Sequence, residues 1–388
     1  MDMTAIHPLL DREKQRLARR YEKEKRWLGL ASMALALVIL LAFCASGLSF
    51  KLAHLEIGRT FIFPFLLYVF ALQATLALLS FPLNFYRSYT HEHKWNFSNH
   101  TVKSWLWEQV KAFWVGLVLF SLLLGLLLWI MDLSPQYWWL IAGLGMAVVS
   151  VLLATIFPVV VLPIFNKYIP IENKELTDSL EEILSREGLK SSGFFKEDMS
   201  RQTKKENAFL AGLGKTRRVV LGDNLLKNMR IPEIQSIIAH EVGHYRYQHI
   251  WKNVTVGTAQ QLIVFFLLSV IMKTAFHSFL SSARENLTLL PVFLLLMGGI
   301  SGFLFTPINQ AISRHFERKA DLYALSTIAN PKDFMTAMSG LADRNLSNAY
   351  PQRWIKIFYY SHPPVGERLE MAENFLQSNQ NVQRPLPH

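Results

Sequence analysis

Residues 237–276 read IIAHEVGHYRYQHIWKNVTVGTAQQLIVFFLLSVIMKTAF. The first part has one apolar helical face (Ile234, Ile237, Ile238 and Val242) and carries His240 and His244 four residues apart. At that spacing both imidazoles leave one side of a helix and can grip one ion. The second part, from Val254 to Phe276, is about twenty apolar residues long, the length that crosses a bilayer. A metal-ligand pattern therefore runs straight into a membrane-length helix.

Working outward, five more stretches have the same character: Leu28–Phe50, Thr60–Leu83, Ala112–Met131, Tyr137–Pro163 and Leu289–Ile308. Trp27, Trp107, Trp114, Trp129, Trp138 and Trp139 lie near span ends, where amphipathic rings favour the headgroup layer. The composition agrees. The chain is 51% hydrophobic and 18% charged, with a mean hydropathy of +0.20, whereas soluble domains carry about 25% charged residues. Disorder is excluded by so much apolar matter. A disulfide-stapled fold is excluded by a single cysteine, Cys44. The first span is too long for a cleavable signal, and a charged segment of 27 residues precedes it.

The net charge of +11 is explained by where the basic residues fall. Residues 1–27 hold eight, the Asn84–Lys111 connection four, Ile164–Asn253 fifteen and the chain after Asn309 nine. Only Lys51, Arg59, Lys273 and Arg284 lie on the opposite side. The positive-inside rule then places both termini and the long segments in the cytosol. No basic face on a recognisable module appears, so nucleic acid is not an expected partner. The run DREKQRLARRYEKEKRW (11–27) has helical spacing. It is read either as a helix lying against anionic lipid or as a solvated juxtamembrane helix.

Between the fourth and fifth spans, Glu175–Glu187 is helical and stops at Gly188. Asn207–Leu213 and Arg217–Leu221 flank Gly214-Lys215 and read as a β-hairpin. Pro232 opens the histidine-bearing helix, with Glu233 favourably set against its dipole. Beyond the last span, Ser313–Ile328, Lys332–Leu341 and Glu367–Leu376 are helical, and a polar, disordered tail is expected from Gln377. Gly298 and Gly302 predict close helix packing. Thr255, Thr258, Gln260 and Gln261 predict a wet cavity beside the fifth span.

His240-Glu241-x-x-His244 supplies two ligands and a carboxylate placed to take a proton from a metal-bound water. A catalytic zinc needs a third protein ligand and an open position. Glu317 is the candidate, with Asp321 one turn on as an acceptor for a ligating imidazole. Asp321 as the ligand, or both as surface charges paired with Arg318 or Lys319, stay open on the residues alone. His249, His315 and His362 are, as single histidines, more often structural than ligating. His249 is expected to end the active-site helix. His362 is set apart by the rigid SHPPVGER context.

Several stretches together resemble the type I CaaX prenyl proteases, integral-membrane zinc metalloproteases. They are PLNFYRSYTHEHKWNFSNHT (82–101), IFPVVVLPIFNKYIPI (156–171), ENAFLAGLGKTRRVVLGDNLL (206–226), AHEVGH, SRHFERKADLYAL (313–325), LADRNLS and YYSHPPVGERL (359–369). The first departs from the family's usual Glu-Glu-Lys-His-Gly-Phe-Asn. The resemblance implies one zinc ion held by His240, His244 and Glu317, with Glu241 as general base and acid. It implies that Asn207 and His362 hold the substrate backbone or the oxyanion, that Asn207–Leu210 is a substrate-binding edge strand, and that Arg368 orients a carboxylate of the site. Family members usually have seven spans around an intramembrane chamber, whereas six are counted here.

The expected fold is mostly α: a polytopic membrane helical bundle of six or seven spans with a cytosolic zincin-type α+β metalloprotease domain. The expected divisions are residues 1–27 (basic segment), 28–163 (spans one to four), 164–253 (catalytic insertion), 254–308 (spans five and six), 309–376 (remainder of the catalytic domain) and 377–388 (tail). The expected activity is membrane-embedded zinc endopeptidase on peptide or protein substrates, prenylated or membrane-associated. The bacterial inner membrane, or the endoplasmic reticulum in a eukaryote, is the expected location. The alternatives are a heat-shock-type quality-control protease resembling HtpX, or a scaffold or transporter without catalysis.

Overall fold

The computed structural model describes residues 6–57, 60–212, 214 and 217–382. The first half is four long helices: α1 (Arg12–Ala45), α2 (Ile62–Lys94), α3 (Val102–Leu133) and α4 (Trp138–Phe165). Each expected span overlaps one of them; the first is cut short, because α1 ends at Ala45 and the chain turns at Gly47, φ +73°, before the expected end at Phe50. Asp11 caps α1 and Thr101 caps α3, each side chain accepting an N–H of the first turn. The basic run 11–27 is not a separate element: α1 is unbroken from Arg12 through the first span, and most of the run is exposed. One of its faces packs on the extramembrane part. Gln15 donates to Ser347 O (3.2 Å) and accepts from Ala349 N (2.9 Å), while Ala18 and Tyr21 are buried.

After α4 the chain leaves the apolar bundle through β1 (Tyr168–Pro170), α5 (Lys174–Ser185), β2 (Phe194–Glu197), β3 (Ala208–Ala211) and β4 (Arg218–Gly222). The sheet order is β1-β2-β4-β3, with β2 parallel to β4 and β3 antiparallel to it (Ala208 opposite Leu221, Leu210 opposite Val219). The expected hairpin is therefore present, with Gly214 at φ +55°, and β3 is an edge strand. Asn207 O accepts from Gly222 N (2.9 Å), so by strand alternation Ala208 and Leu210 aim their backbone groups away from β4.

The histidine helix, α6 (Ile231–Arg246), starts at a reciprocal cap in which Arg230 N donates to Glu233 Oε2 (2.9 Å). Gln248, at φ 54°, turns the chain into α7 (His249–Ala275), so the first span of this half begins almost where the site helix stops. Then α8 (Leu290–Thr327) is a single helix. The sequence suggested a span and a separate Ser313–Ile328 helix. A π-turn at Ser301–Phe305 joins them, widening the backbone just ahead of Pro307, which lacks an N–H. Last come α9 (Pro331–Arg344), α10 (Arg353–Tyr359) and α11 (Val365–Val382). Helix α11 runs past the expected start of the polar tail at Gln377; residues 383–388 of that tail lie outside the described residues.

Two apolar cores result. The membrane core joins Tyr68, Leu72, Leu128, Trp138, Leu268 and Phe293. There packing replaces the hydrophobic drive, and buried polar groups act as ties: Tyr68 donates to Ser49 Oγ (2.8 Å), which donates to Thr288 O (2.8 Å). The extramembrane core joins Leu180, Leu184, Val219, Leu221, Ile238 and Phe334, each burial contributing about 1.5–3 kcal/mol. It holds the sheet against α6, and α6 against α8 and α9.

The expected close packing at Gly298 and Gly302 is not found. A Cβ at either would meet nothing within 4 Å, and both line a cleft of about 1010 Å³ between α1 and α8. The polar group beside α7 divides. Thr255 and Thr258 return their hydroxyls to Trp251 O and Val254 O, whereas Gln260 donates to Asn309 Oδ1 (2.7 Å) in a cavity of about 490 Å³.

Candidate metal centre and active-site cleft

Helix α6 delivers His240 and His244; α8, crossing it, delivers Glu317. Their ligand atoms lie within 4.8 Å of one another. His240 Nε2 is 3.2 Å from His244 Nε2 and 3.1 Å from Glu317 Oε2, and His244 Nε2 is 3.4 Å from Glu317 Oε1. Ligands at about 2.0–2.1 Å around a tetrahedral ion stand about 3.3–3.4 Å apart, so the triangle has the right size for zinc. Glu317 Oε2 is buried and makes no hydrogen bond of good geometry. Two converging lone-pair nitrogens and an unsatisfied carboxylate oxygen fit a divalent cation.

Asp321, the rival third ligand, is turned elsewhere. It is fully buried, with Oδ1 2.7 Å from His240 Nδ1, the nitrogen remote from Glu317. Arg368 of α11, itself buried, donates through Nε to Asp321 Oδ2 (2.9 Å) and through a second nitrogen to Oδ1. Asp321 thus stands between Arg368 and the His240 ring, on the side from which a carboxylate orients a ligating imidazole. Burial alone would lower His240, but Asp321 beside it holds it up at about 9. His244 is pushed down to about 4 by burial and by the charge of His240.

Glu241 faces the cleft, and the N–H of Leu210 on β3 reaches its carboxylate. Burial pushes this carboxyl above the ordinary range, Glu317 adds to the effect, and His240 and the Leu210 N–H oppose it. The cleft, about 400 Å³, is also lined by Asn207, Ala208, His362 and Arg368. Asn207 is exposed at the start of the edge strand. His362 stands 3.4 Å from Glu317 Oε1, on the rim beside the candidate ligands.

The sequence reading gave no role at the site to two residues beside it. His249 does not end α6; it opens α7 and is buried, with Nδ1 2.9 Å from His244 Nδ1 and its ring stacked on Phe316 at 4.2 Å. One ring must donate to the other, which orients His244. A five-residue spacing does not predict that contact, because the left-handed Gln248 makes it. His249→Phe keeps the stacking and removes the nitrogen, so metal affinity should fall about 10–100-fold with little change in melting temperature; metal titration of the apo-protein measures it. Arg314 is the second. Buried on α8, it donates to Lys356 O (2.9 Å) and Tyr360 O (2.7 Å), fastening the segment that carries His362. By contrast His315 is exposed, on the opposite face as its position two residues before Glu317 suggests.

A metal-ligand triangle with a buried carboxylate at its side, set at the junction of an edge strand and a helical membrane bundle, defines a membrane-embedded metalloprotease. Comparison with known proteins takes this one step further. Residues 4–167 match the CAAX prenyl protease N-terminal family, described as five membrane helices, and residues 170–375 match peptidase family M48. The chain belongs to peptidase family M48. It is 30% identical over 367 residues to the uncharacterized metalloprotease YhfN of Bacillus subtilis, covering 92% of this chain and 85% of that one. It is also 30% identical over 329 residues to CAAX prenyl protease 1 of Saccharomyces cerevisiae, covering 80% and 72%. The crystal structure of S. mikatae Ste24p superposes with a TM-score of 0.83 at 25% identity, covering 95% of this chain and 91% of that one. The chain is thus a multi-pass membrane metalloprotease acting on peptide or protein substrates.

Proposed function

We propose that the chain is a zinc endopeptidase that cleaves extended peptide segments presented along the bilayer, with active site and termini on the cytosolic side. The divisions read from the sequence are proposed to hold in that arrangement: spans at 28–163 and 254–308, catalytic parts at 164–253 and 309–376. In this reading His240, His244 and Glu317 hold the ion, and a bound zinc supplies Lewis acidity and an acidified water. Glu241 accepts the proton of the attacking water and returns it to the leaving amine. The peptide adds a strand to β3, where Ala208 and the Leu210 carbonyl face outward as backbone partners. Asn207 and His362 donate to the carbonyl oxygen as charge grows on it. Asp321 and Arg368 hold His240 in place.

The observation that carries this reading is the continuity of the two clefts. Glu22, Tyr360 and His362 line both the active-site cleft and the larger one that descends between α1 and α8 to Gly298 and Gly302. A substrate whose tail lies in the membrane reaches the metal ligands without leaving the protein. Carboxyl-terminal prenylated peptides are the leading substrate, given the prenyl protease relatives; general membrane-protein proteolysis, in a bacterial inner membrane, is the alternative, given the Bacillus relative.

The test is the metal content of the purified protein, together with cleavage of one peptide in farnesylated and plain forms before and after chelation. About one zinc per chain, activity lost on chelation and regained with zinc, and faster cleavage of the farnesylated form are expected. Cleavage that survives complete metal removal would sink the zinc assignment, and equal rates would move the substrate to general membrane proteins.

A further inference from the structure

The basic run that precedes the first span is not absorbed by the protease reading. We propose that the pocket it forms with α10 binds the headgroup of an anionic phospholipid.

The pocket holds about 580 Å³ and is lined by Arg19, Lys23 and Arg26 of α1, facing Asn348, Gln352 and Trp354. Steps of four and three residues put the cations on one helical face. No Asp or Glu lines the pocket. Among the described residues Arg19 and Lys23 form no ion pair, and Arg19 Nε is buried with no hydrogen-bond partner. Arg26 has Glu22 at 3.6 Å, but that carboxylate already accepts from Tyr360 (2.6 Å) and from Asn348 N (3.0 Å). Three cations thus converge with one distant, shared counter-charge, an arrangement that an anion relieves.

Depth decides which anion. The apolar part of α1 starts at Leu28. At about 1.5 Å per residue, Arg26 stands about 3 Å above it, Lys23 about 7.5 Å and Arg19 about 13.5 Å. The headgroup layer is about 5–8 Å thick. Lys23 and Arg26 therefore sit in it, and Arg19 stands just above it on the same face. Arg12 and Arg16 stand well above, and Arg16 is already paired with Glu13. Trp27 and Trp354, 65% and 56% exposed, flank the pocket as rings do at the membrane interface. Leu30, Ile355 and Tyr359 give its lower wall an apolar surface for the glycerol end of a lipid, which free phosphate would leave unused. Arg26, Leu30, Trp354 and Tyr359 also line the cleft that leads to His362, so the bound lipid would stand beside the membrane entrance to the site.

The full chain, in detergent with equal phosphatidylglycerol and phosphatidylcholine, is examined by native mass spectrometry. Wild type should retain one phosphatidylglycerol in preference to phosphatidylcholine. Arg19→Gln with Lys23→Gln should weaken that retention about 30-fold, from about fivefold per cation. Lys23→Gln alone, at an exposed position with no fold to disturb, should weaken it about fivefold. Lys174→Gln with Lys190→Gln, the same charge change on exposed residues elsewhere, should leave it as in wild type. Unchanged retention in the pocket variants, or equal retention of phosphatidylcholine by wild type, overturns the proposal. Displacement by equimolar inorganic phosphate overturns it too, since the pocket would then be a general anion site.

Discussion

A Glu241→Gln chain should fold, keep its metal and cleave peptide at least about 100-fold more slowly, within the 10²–10⁴-fold range of general acid–base catalysis. The substitution is isosteric, and the amide oxygen can still accept the Leu210 N–H, so the contact between α6 and β3 survives. What is lost is a group that alternates between base and acid. Burial already raises the Glu241 carboxyl above the ordinary carboxylate range, which brings it nearer to working pH and suits it to return a proton as well as take one. The base form must be present for attack, so wild-type activity should rise with pH through this group, with an acid limb above about 4.3. That limb should vanish in the variant's residual rate. Metal content and pH–rate profiles of both proteins measure this. Equal rates would end the assignment; loss of metal from the variant would mean that Glu241 helps hold the ion.

The parts legible in the sequence were those whose signal is local. Span lengths followed from uninterrupted apolar runs, the α6 start from Pro232 and Glu233, and the hairpin from Gly214 between two apolar runs. Glu317 and Asp321 were picked out together because one helical turn separates them, but only the crossing of α8 over α6 assigns one to each side of His240. Strands β1 and β2 left no local trace: they are three and four residues long, and β2 pairs in parallel with a strand more than twenty residues on. The apolar run ends at Ile308, which suggested a span and a separate helix, yet α8 continues through Pro307 to Glu317 as one element by way of the π-turn before it. Gly298 and Gly302 misled because one spacing serves two purposes: small residues admit a neighbouring helix or leave room for something else. Here they border open space. Arg314 acts on partners brought near by tertiary structure alone, and His249 meets His244 only through the left-handed turn at Gln248.

That dependence on one helix crossing sets up the second large effect, at Gly243. A Cβ there would stand 2.9 Å from Ala320 Cα, 3.2 Å from its carbonyl oxygen and 3.3 Å from its Cβ. In an exposed helix, glycine to alanine gains about 0.5–1 kcal/mol from backbone entropy. At this position overpacking, about 1–3 kcal/mol, should outweigh that gain and lower stability. The larger loss is in the site. Backbone cannot rotate aside as a side chain does, so α6 and α8 must separate, and Glu317 lies one turn from Ala320 on the displaced helix. Asp321, clamped by Arg368, keeps α8 from yielding locally. A displacement of about 1 Å is enough to lose about 100-fold in rate. Gly243→Ala should therefore bind metal at least about 10-fold more weakly and cleave about 100-fold more slowly. Adding Ala320→Gly should not rescue it, because that removes the Cβ contact and leaves the closer one to Cα. Gly257→Ala, also mid-helix but with nothing within 4 Å, should leave metal affinity unchanged. Metal titration, melting and cleavage rates of the four proteins decide it. Wild-type metal affinity in Gly243→Ala would show that the two helices are not held at the separation on which the candidate site depends.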